Sequence, residues 1–103
     1  LNQIGGEELE HFVRPIYQKI LDKKGRIQPW IIETIKALFE HHFKLAEAAN
    51  ALFIHKNTMA YRIKRIQTLT GLSIGDNFHH TVMLNLLGIY VERLQKATRA
   101  NSQ

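Results

Sequence analysis

Ala48-Ala49-Asn50-Ala51-Leu52-Phe53-Ile54-His55-Lys56-Asn57-Thr58-Met59-Ala60-Tyr61-Arg62-Ile63 is the stretch whose reading decides the fold. It reads as two short helices joined by three residues, 53–55. The small side chain of Ala49 lets the two helices cross closely. Leu52, Ile54, Met59 and Ile63 supply the apolar surface they share. Two helices meeting this way make a helix-turn-helix, a motif whose second helix can enter the major groove of DNA.

A helical wheel at about 100° per residue tests the second helix. Met59, Ile63, Ile66 and Thr70 fall on one side. Asn57, Tyr61, Lys64, Arg65 and Thr68 fall opposite, with Thr58, Arg62 and Leu69 on one flank. The outward face thus mixes an amide, hydroxyls, a phenol and cations. Amides and hydroxyls can read base edges, and cations neutralise phosphates. A solvated helix usually mixes Glu among its Lys and Arg, yet no acid occurs between Lys56 and Gly75.

Charge is distributed to match. The chain of 103 residues carries a net +5. Residues 1–43 hold six basic and six acidic groups. Residues 44–75 hold Lys44, Lys56, Arg62, Lys64 and Arg65 against Glu47 alone, a net +4. Residues 76–103 contribute only +1. A local basic surface favours a polyanionic partner.

Working outward, helical periodicity dominates and predicts an all-α domain of five or six helices, with the helix-turn-helix at about 45–69. Residues 7–13 read as a short helix with Glu7, Glu8 and Glu10 at its positive end. Pro15 is placed to begin a second segment that runs to about Lys24 and stops at Gly25. Pro29 opens the next helix, whose stripe Ile31, Ile35, Leu38 and His42 ends near Phe43. A short Ala-rich helix covers 45–52, and another runs from 56 or 57 to 69 before Gly71. Asp76 can cap a last helix to about Arg99. That helix is apolar except for a stripe of Thr81, Asn85, Gly88 and Glu92, so it must be covered on several sides or meet a partner. In domain terms, 1–14 are a linker or leading short helix, 15–99 the DNA-binding domain and 100–103 a loose tail.

Other classes find little support. Without Cys there is no disulfide or thiolate metal site, which suits a reducing cytoplasm. No apolar run approaches the roughly 20 residues of a membrane span, and no signal peptide is recognisable. His41-His42 and His79-His80 are adjacent pairs that point about 100° apart on a helix, not the i, i+4 spacing that shares an ion. No nucleophile and base are suggested together, so neither enzyme chemistry nor a cofactor is expected. Trp30, Phe39 and Phe43 are read as core.

The run from Ala49 through Leu52-Phe53-Ile54-His55-Lys56-Asn57-Thr58-Met59, Tyr61-Arg62-Ile63 and Arg65-Ile66 to Leu69-Thr70-Gly71-Leu72 resembles the C-terminal DNA-binding domain of the PucR family. That family includes regulators of purine catabolism and sugar diacid regulators of the CdaR type. The likeness covers about residues 12–95, and His55-x-Asn57-Thr58-x-x-Tyr61-Arg62 is its most specific part. Ala49-x-x-Leu52-x-Ile54 with Thr58-Met59 is more distantly similar to the Fis-type helix-turn-helix. The resemblance implies a recognition helix beginning at 55–58, with His55, Lys56 and Thr58 touching DNA there and Tyr61, Arg62 and Arg65 matching the PucR pattern. It also implies an effector-binding segment N-terminal to this chain, a place in a longer protein that the start at Leu1 fits; a homo-oligomer is expected separately, because one recognition helix reads few base pairs. Two positions depart from the usual patterns. Ala46 stands where a Ser or Thr cap is common, so the first motif helix is expected to start raggedly. Phe53 stands where a turn Gly is common in helix-turn-helix motifs, so the turn cannot rely on easy positive φ.

The expected DNA-facing set is therefore His55, Lys56, Asn57, Thr58, Tyr61, Arg62, Lys64 and Arg65, with double-stranded DNA as partner. Asn57 has a second reading as a helix cap. Arg62, on the flank, has a second reading as a structural ion pair, for example with Glu47. The competing class is a helical interaction module whose basic face meets an acidic protein.

Overall fold

The computed structural model describes residues 6–101. Five helices follow one another: α1 (Gly6–Lys19), α2 (Pro29–Glu40), α3 (Leu45–Ala51), α4 (Lys56–Thr70) and α5 (Phe78–Asn101). Among the described residues there is no strand, only a lone antiparallel bridge between Leu21 and Ile27. The all-α expectation holds.

Three apolar clusters build the domain. The largest takes Ile16 from α1, Ile20 just after it, Ile31 and Ile35 from α2, Ile66 from α4, and Leu84, Leu87 and Val91 from α5. The second is the helix-turn-helix itself: Ala37 and Leu38 of α2 meet Ala48 and Ala49 of α3 and Met59 of α4, with Leu52, Ile54 and Ile63 packed alongside. Ala49 is 1% exposed, and a side chain ending at Cβ is what permits α3 and α4 to approach there. A third cluster of Leu9, Val13 and Leu86 lays α1 along α5. The apolar girth of α5 is thus largely taken up by α1 and α2, and Phe78 and Val82 are its exposed large apolar residues.

Local chemistry moves several boundaries. Pro15 does not start a second segment: α1 runs through it to Lys19. A proline inside a helix forfeits one i−4 hydrogen bond and crowds a carbonyl, and burial of Val13, Ile16 and Ile20 on one stripe outweighs that cost. The chain leaves α2 at Glu40 instead of Phe43, because His42 and Phe43 turn it with φ of 53° and 61°. The Phe43 N–H then donates to the Leu38 carbonyl at 2.7 Å, and its ring meets Phe39 edge-on at 5.0 Å. α3 begins at Leu45 with no side-chain cap. α4 ends where expected, on Gly71 with φ 74°.

Asn77, not Asp76, caps α5. Its Oδ1 accepts the His80 N–H at 3.1 Å, and its carbonyl accepts the Thr81 N–H at 2.9 Å. Asp76 takes the Ser73 hydroxyl instead. The connection 71–77 is further stapled by His80 Nδ1, which accepts the Ser73 N–H at 2.7 Å, and by Gln67 Oε1, which accepts the Ile74 N–H at 2.9 Å. α5 reaches Asn101; of the expected loose tail, 102–103 lie outside the described residues.

Candidate nucleic-acid interface

The turn between α3 and α4 sets the site. Phe53 adopts φ 57° although it is not glycine, so the turn takes a positive φ without the ease that glycine would give it. A left-handed non-glycine residue costs about 1 kcal/mol or more. The Ile54 N–H donates to the Ala49 carbonyl at 3.0 Å and closes the turn. Ile54 then packs into the motif core, while Phe53 is left 95% exposed.

His55 follows as the N-cap of α4, with extended backbone. Its Nδ1 accepts the Asn57 N–H at 3.0 Å. The cap is therefore His55, and the Asn57 side chain is not needed for it. An imidazole that accepts at Nδ1 in its neutral form carries its proton on Nε2, so His55 presents one further donor at an exposed position.

Along α4 the wheel is realised in burial. Met59, Ile66 and Thr70 are buried, and Thr70 Oγ1 donates to the Ile66 carbonyl at 2.7 Å. Lys56, Asn57, Thr58, Tyr61, Lys64 and Arg65 are all exposed, Tyr61 at 68%. Lys56, Lys64 and Arg65 pair with no acid among the described residues. The helix has no acidic residue in its first turn, where its own dipole is positive.

Arg62 is different. Its Nη1 lies 2.7 Å from Glu33 Oε1 and 3.3 Å from Thr34 Oγ1, so it ties α4 to α2. Its side chain is 19% exposed. The ion-pair reading of Arg62 is the one the structure realises, with Glu33 in place of Glu47. Glu47 pairs with Lys44 at 3.9 Å on α3's own first turn. Sequence reasoning did not find Glu33, since no periodicity connects a partner 29 residues away. The structure thus leaves seven of the eight candidates exposed on α4 and its cap and holds the eighth, Arg62, against α2.

A basic, hydroxyl- and amide-bearing helix presented by a tight turn from a three-helix core defines a DNA-binding helix-turn-helix module of the transcription-regulator class. The sequence pattern of the PucR C-terminal helix-turn-helix domain matches residues 31–87, from α2 into α5, and the chain belongs to that family. It is 36% identical over 81 residues to the carbohydrate diacid regulator of Escherichia coli (strain K12), covering 78% of this chain and 20% of that protein. It is 30% identical over 88 residues to the purine catabolism regulatory protein of Bacillus subtilis (strain 168), covering 85% of this chain and 16% of that one. The proline-responsive transcriptional activator PutR of the same Bacillus strain matches 46 residues at 37% identity, 45% of this chain and 11% of that protein. The chain therefore spans a fifth or less of the length of these relatives. No solved structure matches it significantly. No helix of the described residues is long and apolar enough to cross a membrane.

Proposed function

We propose that the chain binds DNA sequence-specifically for a bacterial transcription regulator, with α4 at about residues 56–69 lying in the major groove. The observation that carries this is the exposed face of α4: three cations without acidic partners, beside Asn57, Thr58 and Tyr61. Lys56, Lys64 and Arg65 contact phosphates. Asn57 reads a base edge, freed for it because His55 supplies the cap. Thr58 and the His55 Nε2–H hold backbone oxygens at the helix start, and Tyr61 lays its ring and hydroxyl along the groove wall. Arg62 acts as a positioning residue that fixes how α4 stands on α2.

In the longer protein, the module works as a pair or more, because one recognition helix reads few base pairs and paired half-sites lie roughly 34 Å apart. A segment outside this chain receives a small-molecule effector, the whole acts in the cytoplasm, and the module itself performs no chemistry. Relatives named as regulators of carbohydrate diacid use and purine catabolism support this division of labour. A helical module that binds an acidic protein is the less favoured alternative, since such a partner gives no reason for an outward amide and hydroxyls.

Selection of duplexes from a random library by the immobilised chain tests the reading. One enriched motif, bound more tightly than random DNA at the same salt, is the expected result. Retention of no duplex, or of all duplexes equally, contradicts sequence-specific binding. Sedimentation of the full-length regulator on the selected site tests the pairing, and one chain per saturated site overturns it.

A further inference from the structure

The turn between α1 and α2 carries charge that the balance of the first 43 residues conceals. Five of the six acids of that region, Glu7, Glu8, Glu10, Glu33 and Glu40, lie in α1 and α2, whereas 19–26 hold Lys19, Lys23, Lys24 and Arg26 against Asp22, a net +3. The turn is built, not loose. Leu21 and Ile27 form its antiparallel base. The Asp22 N–H donates to the Arg26 carbonyl at 2.9 Å, and the Gly25 N–H donates to the Asp22 carbonyl at 2.9 Å. Gly25 takes φ 76°, which a side chain would resist.

Asp22 is consumed in holding this shape. Its Oδ1 accepts the Lys24 N–H at 2.8 Å and the Arg26 N–H at 3.0 Å, and its Oδ2 lies 3.5 Å from Arg26 Nε. The Arg26 N–H is the main reason its carboxyl is held below the usual carboxylate range. That leaves Lys23 and Lys24 exposed at the tip and paired with no acid among the described residues.

The turn is also placed. Ile27 packs against the cluster that contains Ile66 of α4, and Leu69 packs there too. Gln28 Nε2 donates to the Ile20 carbonyl at 3.0 Å, which fastens the turn to α1. α2 starts one residue later, and its Glu33 holds Arg62 at the middle of α4. The turn therefore leads directly into the helix that packs on the Arg62 flank of α4, the flank that also carries Thr58 and Leu69, while Ile27 at its base also borders Tyr17 and the C-terminal end of α5. A helix in a major groove is bordered by a sugar-phosphate strand on each flank.

We propose that the 22–26 turn is a second DNA contact, in which Lys23 and Lys24 hold the phosphate strand bordering the groove that α4 occupies. It adds affinity without sequence preference. This rests on α4 facing DNA, so the two readings are tested side by side. Binding of the 103-residue chain to a random duplex and to the selected duplex is measured by fluorescence anisotropy across a salt series. Lys23→Ala/Lys24→Ala is expected to make the slope of log affinity against log salt shallower by about 1.8, with affinity falling roughly ten- to sixty-fold at 0.1 M salt. The loss is equal on both duplexes, and phosphate-ethylation interference disappears on one flank only. An unchanged melting temperature verifies the fold, and Lys23→Gln/Lys24→Gln serves if alanine alters it. A wild-type slope and affinity in the variant overturn the second contact. If Lys64→Ala/Arg65→Ala flattens the slope while the turn variant does not, the turn fails and the α4 reading stands. If the unaltered chain shows no salt-dependent binding to either duplex, the α4 reading fails and takes the turn with it.

Discussion

Arg62 on α4 and Glu33 on α2 meet at 2.7 Å, across 29 residues of sequence, and this pair ties the two helices together at their surface. Arg62 is mostly covered while Glu33 is half exposed, so solvent screens the pair only in part. Arg62 Nη1 also reaches Thr34 Oγ1, whose own proton goes to the Trp30 carbonyl at 2.6 Å. One guanidinium thereby touches two successive residues of α2.

Arg62→Ala is expected to destabilise the domain by about 1 kcal/mol, discounted for the exposure of Glu33. For a domain of this size the melting temperature falls by roughly 4–8 °C. The double variant Arg62→Ala/Glu33→Ala should cost less than the sum of the singles, and thermal melts of all four proteins measure that coupling. The slope of DNA affinity against salt should stay as in the unaltered chain. A slope reduced by about one would make Arg62 a phosphate contact instead.

His55 caps α4 through Nδ1. His55→Ala should cost about 1 kcal/mol, whereas His55→Asn keeps a capping oxygen and most of the stability. DNA affinity separates the second role. If the Nε2–H holds a phosphate, asparagine restores the fold without restoring full binding. Full recovery of both by asparagine would reduce His55 to a cap.

Ala49 is buried in the cluster through which α3 packs on Met59 of α4. Ala49→Leu should overpack this contact and cost about 1–3 kcal/mol in chemical denaturation. Stability unchanged from the parent would mean that the helices do not cross there.

Phe53 combines positive φ with near-complete exposure. Phe53→Gly relieves the backbone conformation and loses no buried surface, while the freer unfolded chain offsets part of the gain. The expected result is a stability between unchanged and about 1 kcal/mol higher. A clear loss in the thermal melt would show that the ring is held by contacts of its own.

The parts of this protein that were legible in its sequence are those governed by neighbours three or four residues apart. Met59, Ile66 and Thr70 against Lys64, Arg65 and Thr68 give α4 its two faces, and Gly71 stops it, because a helix repeats its geometry locally. What was not legible depends on competition between distant or near-equal terms. Pro15 reads as a boundary until the burial of Ile16 and Ile20 on α5 and α2 is counted. Asp76 and Asn77 are both good caps, and the choice follows from the Ser73 hydroxyl claiming Asp76. His42, Phe43 and Phe53 take left-handed backbones that no side chain among them advertises. The candidate DNA-facing residues were found by face and charge, but the assignment of Arg62 required Glu33, which only the fold brings near. The basic turn at 22–26 was hidden by averaging charge over a segment whose other five acids lie in α1 and α2.

If the outward face of α4 meets the phosphates of a duplex, its cations must carry the salt dependence of binding. The most direct measurement is the salt dependence of duplex binding by the unaltered chain and by Lys64→Ala/Arg65→Ala, two exposed residues that pair with no acid among the described residues. Each lost phosphate contact should lower the slope of log affinity against log salt by about 0.9, so the variant should be shallower by about 1.8, with an unchanged melting temperature. A variant that binds with the slope and affinity of the unaltered chain would mean that α4 faces something other than DNA.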